Sequence, residues 1–342
     1  MTLLAKENDQ GSLLRKRENK LEEANKEITE INEKTEDNCD NQLENEDINK
    51  NKQLVNRKWS LCSFTELPSW LQDNEYITFG HRPPIPCVKT CFQSIFRIHA
   101  ETGNIWTHLV GCILFIGITV YFTYSQYVKI PDSKETWVFL AFFAGAILYL
   151  GFSTIFHTLY CHSQNVSKLF SKLDYCGISL LIMGSFVPWV YFGFYCHFVP
   201  KVLYLVMVCT LGISTMCVSL IDKFSTPTWR PFRAGVFMTF GLSAVFPALH
   251  YGFQEGWFNH ISQKNLGWLV LMGVLYIAGA LLYALRVPER WYPGKFDFWF
   301  HSHQIFHVFV VAAALVHFHG VTELATHRLS LGACDPPGLI KM

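Results

Sequence analysis

No aromatic residue precedes Trp59, although Phe, Tyr and Trp make up 15% of the 342-residue chain. The first 58 residues hold 11 Lys/Arg and 14 Asp/Glu, so 25 of the 55 charged residues lie there. Such a segment buries too little apolar surface to offset chain entropy. Residues 1–56 are therefore expected to form a disordered acidic and polar head. Within it, Leu14, Leu21 and Ile28 repeat every seven residues, enough for a short solvated helix but not for a coiled coil. No secretory signal is expected, because charges follow Leu3 and Leu4 at once; membrane entry is then expected to fall to the first spanning segment. The 11 cysteines lack a spaced framework, and several sit inside apolar runs. Mostly reduced, packed thiols are expected rather than a disulfide scaffold.

Beyond the head, charge is scarce and long apolar runs take over. A bilayer-crossing helix needs about 20 mostly apolar residues. Seven such runs are read, at 106–127, 137–160, 174–196, 201–221, 233–253, 267–287 and 299–320. The expected fold class is an all-α membrane protein, a bundle of seven transmembrane helices within residues 101–322. Lys and Arg in the connections set its orientation. One side carries 13 of them, among them Arg82, Lys168, Arg233 and Arg290, and the other carries 6. The N-terminus is therefore expected in the cytosol, and the short tail at 323–342 outside. Residues 57–100 form a cytosolic juxtamembrane segment. In it Val88, Cys91, Phe92, Ile95 and Ile98 repeat at helical spacing after a Pro-rich stop, which reads as an amphipathic helix at the inner interface.

Histidine inside a bilayer is costly and marks function. His157 ends the second span, while His303 and His307 open the seventh. The charge count brings both run-ends to the cytosolic side. Spaced i,i+4, His303 and His307 share one helix face about 6 Å apart. Ser153 has the same spacing from His157, and Asp174 is expected where the third span begins, also at that level. Three neutral imidazoles suit Zn²⁺ and leave its fourth position open to water, whose pKa the ion lowers to near 7. Asp174 is placed to act as general base, and Ser153 to orient the water or donate to an oxyanion. The sequence has no His-Glu-x-x-His, so this is not a zincin. Cys161, four residues past His157, is the thiol that would close the fourth position and make the zinc purely structural. His301, His317 and His319 read as polar contacts or interfacial residues.

Several stretches carry a resemblance. They are Phe96-Arg97-Ile98-His99-Ala100-Glu101-Thr102-Gly103-Asn104-Ile105-Trp106-Thr107-His108, Phe156-His157-Thr158-Leu159-Tyr160-Cys161-His162-Ser163, Ser171-Lys172-Leu173-Asp174-Tyr175, Gly184-Ser185-Phe186-Val187-Pro188-Trp189, Val287-Pro288-Glu289-Arg290 and Ser302-His303-Gln304-Ile305-Phe306-His307. From about residue 60 to 322 the chain resembles the progestin and adipoQ receptor (haemolysin III-related) family, which includes the adiponectin receptors. The resemblance implies seven helices with a cytosolic N-terminus, and zinc on His157, His303 and His307. It implies that Asp174 and Ser153 engage the water at the metal, and that Arg233 and Tyr175 lie near a lipid product. It further implies hydrolysis of ceramide to a sphingoid base and a fatty acid, and signalling that regulates fatty-acid oxidation and glucose balance. An adiponectin-like extracellular ligand, ceramide or fatty acid within the bilayer, and a cytosolic adaptor on the N-terminal region are the implied partners, at the plasma membrane. Nothing points to nucleic acid. Three readings stay open: a receptor with intrinsic zinc amidohydrolase activity, a non-enzymatic receptor with structural zinc, and a channel or transporter. No internal repeat or paired interrupted helix supports the last.

Overall fold

The computed structural model describes residues 59–129, 134–225, 227–332 and Cys334. The expected head at 1–56, and residues 333 and 335–342 of the expected tail, lie outside the described residues. Nine α-helices follow in order among the described residues: α1 Val88–Ser94, α2 Thr102–Lys129, α3 Lys134–Leu159, α4 Gln164–Gly193, α5 Phe198–Leu220, α6 Arg230–Leu242, α7 Val245–Glu255, α8 His260–Leu285 and α9 Ser302–Ser330. Among the described residues there is no strand beyond an isolated bridge between Cys62 and His81. Seven segments among the described residues are long and apolar enough to cross a membrane, with α6 and α7 together making the fifth. The protein is thus an all-helical, multi-pass membrane protein.

Two boundaries differ most from the sequence expectation, and the first bears on the site. The third spanning helix begins at Gln164, ten residues before the apolar run, so Asp174 stands in its third turn and not at its start. The extra turns carry Lys168 and Lys172, which an apolar window rejects but a helix accepts. The last helix continues to Ser330, beyond the expected end of its span.

The fifth span is broken between Leu242 and Val245. Pro247 has no N–H to give the Ser243 carbonyl, so the ladder fails there. Phe246 donates to that carbonyl instead, over 3.2 Å. Gly241, Leu242 and Ala244, at the break, line an internal cavity. This is a single interruption, unlike the paired broken helices of transporters.

Helices α3 and α4 pack closely because small residues let their backbones meet. A Cβ on Gly145 would lie 2.5 Å from the Leu180 carbonyl oxygen, and one on Gly184 would lie 2.7 Å from that of Ala141. An aromatic core of Phe139, Phe142, Phe143, Phe192 and Trp189 fills the bundle beside them. On the outside, Val110, Ile113, Val120, Val206, Val270 and Val274 are exposed along the spans, as a lipid-facing surface requires.

Residues Ser60–Ala100 cap one end of the bundle. Ala100 donates to the Gly80 carbonyl, Ile85 to that of Cys161, and the Tyr160 hydroxyl to that of Leu71. The buried Asp297 carboxylate accepts the Thr78 and Phe79 N–H groups at 2.8 and 3.0 Å. Helix α1 buries Cys91 and Ser94 against this cap and leaves Val88 and Phe92 exposed. Phe96 and Trp106, also exposed, meet edge to face.

Among the described cysteines seven are thiols, and Cys196 is bonded to Cys334, 138 residues away. That bridge ties the end of α4 to the segment after α9, at the end of the bundle away from the three histidines. No spacing pattern announces a bridge of such separation.

Candidate functional site

The antiparallel course of α3 and α9 sets His157, His303 and His307 side by side. Their ring centroids are 4.8–5.0 Å apart pairwise. One nitrogen from each lies within 4.8 Å of the others, making the one three-ligand cluster among the described residues. His157 and His307 are buried; His303 is half-buried.

Each histidine of the cluster is held from behind. Glu101 Oε2 accepts from His157 Nδ1 at 2.7 Å. That bond fixes the ring tautomer, so Nε2 keeps its lone pair. His157 Nε2 is buried with no hydrogen-bond partner. His307 Nδ1 donates to the Asn104 carbonyl at 3.2 Å, which aims Nε2 at the cluster in the same way. His303 packs against the Tyr283 ring. Ser153 Oγ and Asp174 Oδ1 are also buried polar atoms without a partner. Unpaired buried polar groups cost on the order of 1–3 kcal/mol each. Three of them around three imidazoles fit a bound cation with its water. The donor set, all nitrogen with a carboxylate and a hydroxyl nearby, suits zinc.

The main chain around the ligands is pinned by charge. Arg82, buried in the cap, donates from Nη1 to the Thr158 carbonyl at 3.0 Å and from Nη2 to that of His157. A guanidinium is well placed there, since the last carbonyls of α3 lack helical donors and carry the negative end of the dipole. At the other element, the fully buried Glu289 accepts the Ser302 N–H at 2.7 Å and the Ser302 hydroxyl. A carboxylate at that helix N-terminus is favoured for the mirror-image reason. Burial opposes the charge on Glu101. Hydrogen bonds from His157 and Asn104 overcome it and hold the carboxyl well below its usual range.

The remaining expected residues converge as well. Asp174 lies in an apolar cavity of about 200 Å³ whose wall also includes Tyr175, Arg233, His303 and His307. Arg233 is buried, with its guanidinium 4.8 Å from the Tyr175 ring centroid and Nη1 donating to the Phe224 carbonyl at 2.5 Å. It is not a charge reaching out to headgroups. Phe156, Tyr175, Arg233, Tyr283 and His303 line both this cavity and a second one of about 320 Å³. The second has the more polar lining of the two and lies under the cap, against Glu101, His157 and Lys168. The histidine cluster thus stands where an apolar chamber meets a polar vestibule. Cys161 does not join it: its Sγ lies 3.9 Å from Cys91 Sγ. His301 donates to or accepts from nothing in the cluster and instead contacts the Ala100 carbonyl.

Sequence reasoning missed Glu101, Asn104, Arg82 and Glu289. The signal for the two carboxylates was present, because an acidic residue beside a span is expensive unless it is paired; what it pairs with was not. Glu101→Gln is expected to lower zinc affinity by about 10–100-fold, the usual effect of removing such a support. Competition with a fluorescent chelator measures it, and unchanged affinity would mean the 2.7 Å contact does not orient His157.

A family model described as haemolysin-III related matches residues 96–318, a stretch that begins just before Glu101 and ends past His307. The chain is 62% identical over 279 residues to a Drosophila melanogaster adiponectin receptor protein, covering 82% of this chain and 63% of that one. It is 52% identical to a progestin and adipoQ receptor-like protein of Caenorhabditis elegans, covering 80% and 63%. A heptahelical transmembrane protein of Arabidopsis thaliana is 35% identical, covering 76% and 87%. The chain therefore spans a little under two thirds of the two animal relatives. With its seven spans and its clustered histidines, the chain belongs to the haemolysin-III-related family, the progestin and adipoQ receptors.

Proposed function

We propose that the chain is an adiponectin-receptor-like membrane receptor that hydrolyses the amide bond of ceramide-like lipids with zinc at the cytosolic end of the bundle. The observation that carries this reading is the meeting of the histidine cluster, Asp174 and an apolar chamber. A lipid tail enters the chamber, and its polar junction comes to rest where the chemistry is. His157, His303 and His307 would hold the zinc. When bound, the ion polarises an amide carbonyl and makes a water acidic enough to attack at neutral pH.

This chain's residues do the rest. Asp174 takes the proton from the attacking water as the C–O bond forms, then delivers it to the amide nitrogen as the C–N bond breaks. Ser153 donates to the oxyanion that develops on the carbonyl oxygen. Arg233, stacked on Tyr175, pairs with the carboxylate of the released fatty acid. The sphingoid amine leaves through the polar vestibule. The excess of Lys and Arg at this end of the bundle supports a cytosolic location. Cys161 is engaged with Cys91, so the thiol that a closed, structural zinc site would use is turned away.

An adiponectin-like ligand on the opposite face, an adaptor on the N-terminal region and residence in the plasma membrane are part of the same proposal. The similarity to proteins named adiponectin receptor supports it. The test is direct. Purified chain in lipid nanodiscs should release fatty acid from ceramide, stop when zinc is chelated, and resume when zinc is restored. A zinc-loaded chain that releases none would leave a receptor whose metal only staples α3 to α9.

A further inference from the structure

The apolar chamber holds two polar atoms that the proposed hydrolysis does not use. Tyr276 Oη on α8 and His317 Nε2 on α9 are both buried and without a hydrogen-bond partner. Both residues line the chamber. His317 as a whole is only 4% exposed; its ring donates a hydrogen bond to the Ser185 main chain, and Nε2 is the nitrogen left without a partner. A purely hydrocarbon occupant leaves both atoms unpaired, and such groups are costly in an apolar setting.

Their depth in the chamber follows from the helix register. His317 stands ten residues along α9 from His307, about 15 Å from the histidine cluster. Helix α8 runs antiparallel to α9, since Tyr283 meets His303 at one end and Trp268 meets His319 at the other. Tyr276 lies between these levels. Side chains in a helix lean toward its N-terminus. In antiparallel neighbours this tilts Tyr276 toward the His317 level and His317 back toward Tyr276. A phenol offers both a donor and an acceptor, and an imidazole nitrogen offers the complement.

We propose that Tyr276 and His317 form a hydroxyl subsite, and that the chamber selects an acyl chain bearing a hydroxyl partway along its length. The inference rests on the reading of Arg233 as the carboxylate partner, and it names the lipid class that the same chamber prefers. The hydroxyl sits between the levels of Tyr276 and His317, satisfying atoms that plain hydrocarbon strands.

The experiment is equilibrium binding to the full chain in nanodiscs. The probes are hexadecanoic acid, its α-hydroxy derivative, and a set carrying the hydroxyl at successive mid-chain carbons. At least one mid-chain isomer should bind roughly tenfold tighter than hexadecanoic acid, whereas the α-hydroxy acid, whose hydroxyl lies at the Arg233 end, should gain nothing. Tyr276→Phe should shrink the preference, and Tyr276→Phe with His317→Phe should erase it. Equal binding across the set would overturn the subsite, as would a preference that survives the double substitution. If no acid binds, the subsite and the carboxylate role of Arg233 fall together. If the preference holds while ceramide is not hydrolysed, only the hydrolase reading fails.

Discussion

His303→Ala is expected to strip zinc from the purified chain and reduce ceramide hydrolysis to background. His303 supplies one of three nitrogens, and no other ligand group among the described residues joins the cluster. Two imidazoles cannot hold the ion in its place against chelation. Affinity should fall by more than the 10–100-fold typical of losing a supporting residue. The fold should survive. His303 is half-buried, in the first turn of α9, where Glu289 still caps the Ser302 N–H. Metal analysis, turnover and thermal unfolding read the three consequences separately. One zinc per chain in the variant would remove the cluster as the metal site, whatever happened to turnover.

Asp174→Asn is expected to do the opposite with the metal and the same to the reaction. Zinc stays, because all three imidazoles remain and Asp174 lies outside the three-ligand cluster. Turnover should drop by about 10²–10⁴-fold, the range for removing a general acid–base group. The substitution keeps the side-chain shape in the chamber wall and removes only the ability to carry the proton. Comparing the variants separates binding from chemistry. Losing zinc in Asp174→Asn would make Asp174 a ligand, and keeping full turnover would move the proton transfer elsewhere.

Much of the architecture was legible because a bilayer imposes harsh rules on sequence. Each span must be apolar for about 20 residues, so seven runs stand out against their polar connections. Polar and ionisable residues within them are few, and His157, Asp174, His303 and His307 attract notice for that reason. The i,i+4 spacing placed two of the histidines on one face before any tertiary contact was known. Where the rules relax, reading failed. The start of α4 was misplaced by ten residues because a helix that begins in water need not be apolar. The break between α6 and α7 hangs on Pro247, yet proline is tolerated in many membrane helices, as Pro188 is inside α4. The Cys196–Cys334 bridge joins residues too far apart for spacing to pair them.

The sequence by itself determined the number of spans, the identity of the candidate ligands and the segregation of basic residues to one side. These are one-dimensional properties: length, polarity and charge along the chain. Only the tertiary structure decided which groups stand behind the ligands. Glu101 reaches His157 across 56 positions, Arg82 closes the end of α3 from a segment that does not cross the bundle, and Glu289 caps α9 from the preceding loop. It also decided that the cluster stands at the junction of two cavities, with Tyr276 and His317 deeper in the apolar one. Partners of this kind are fixed by where helices cross and how far each is rotated. Helix crossing depends on the packing of many side chains at once, as where Gly145 and Gly184 let α3 and α4 approach. No local pattern along the chain encodes that geometry.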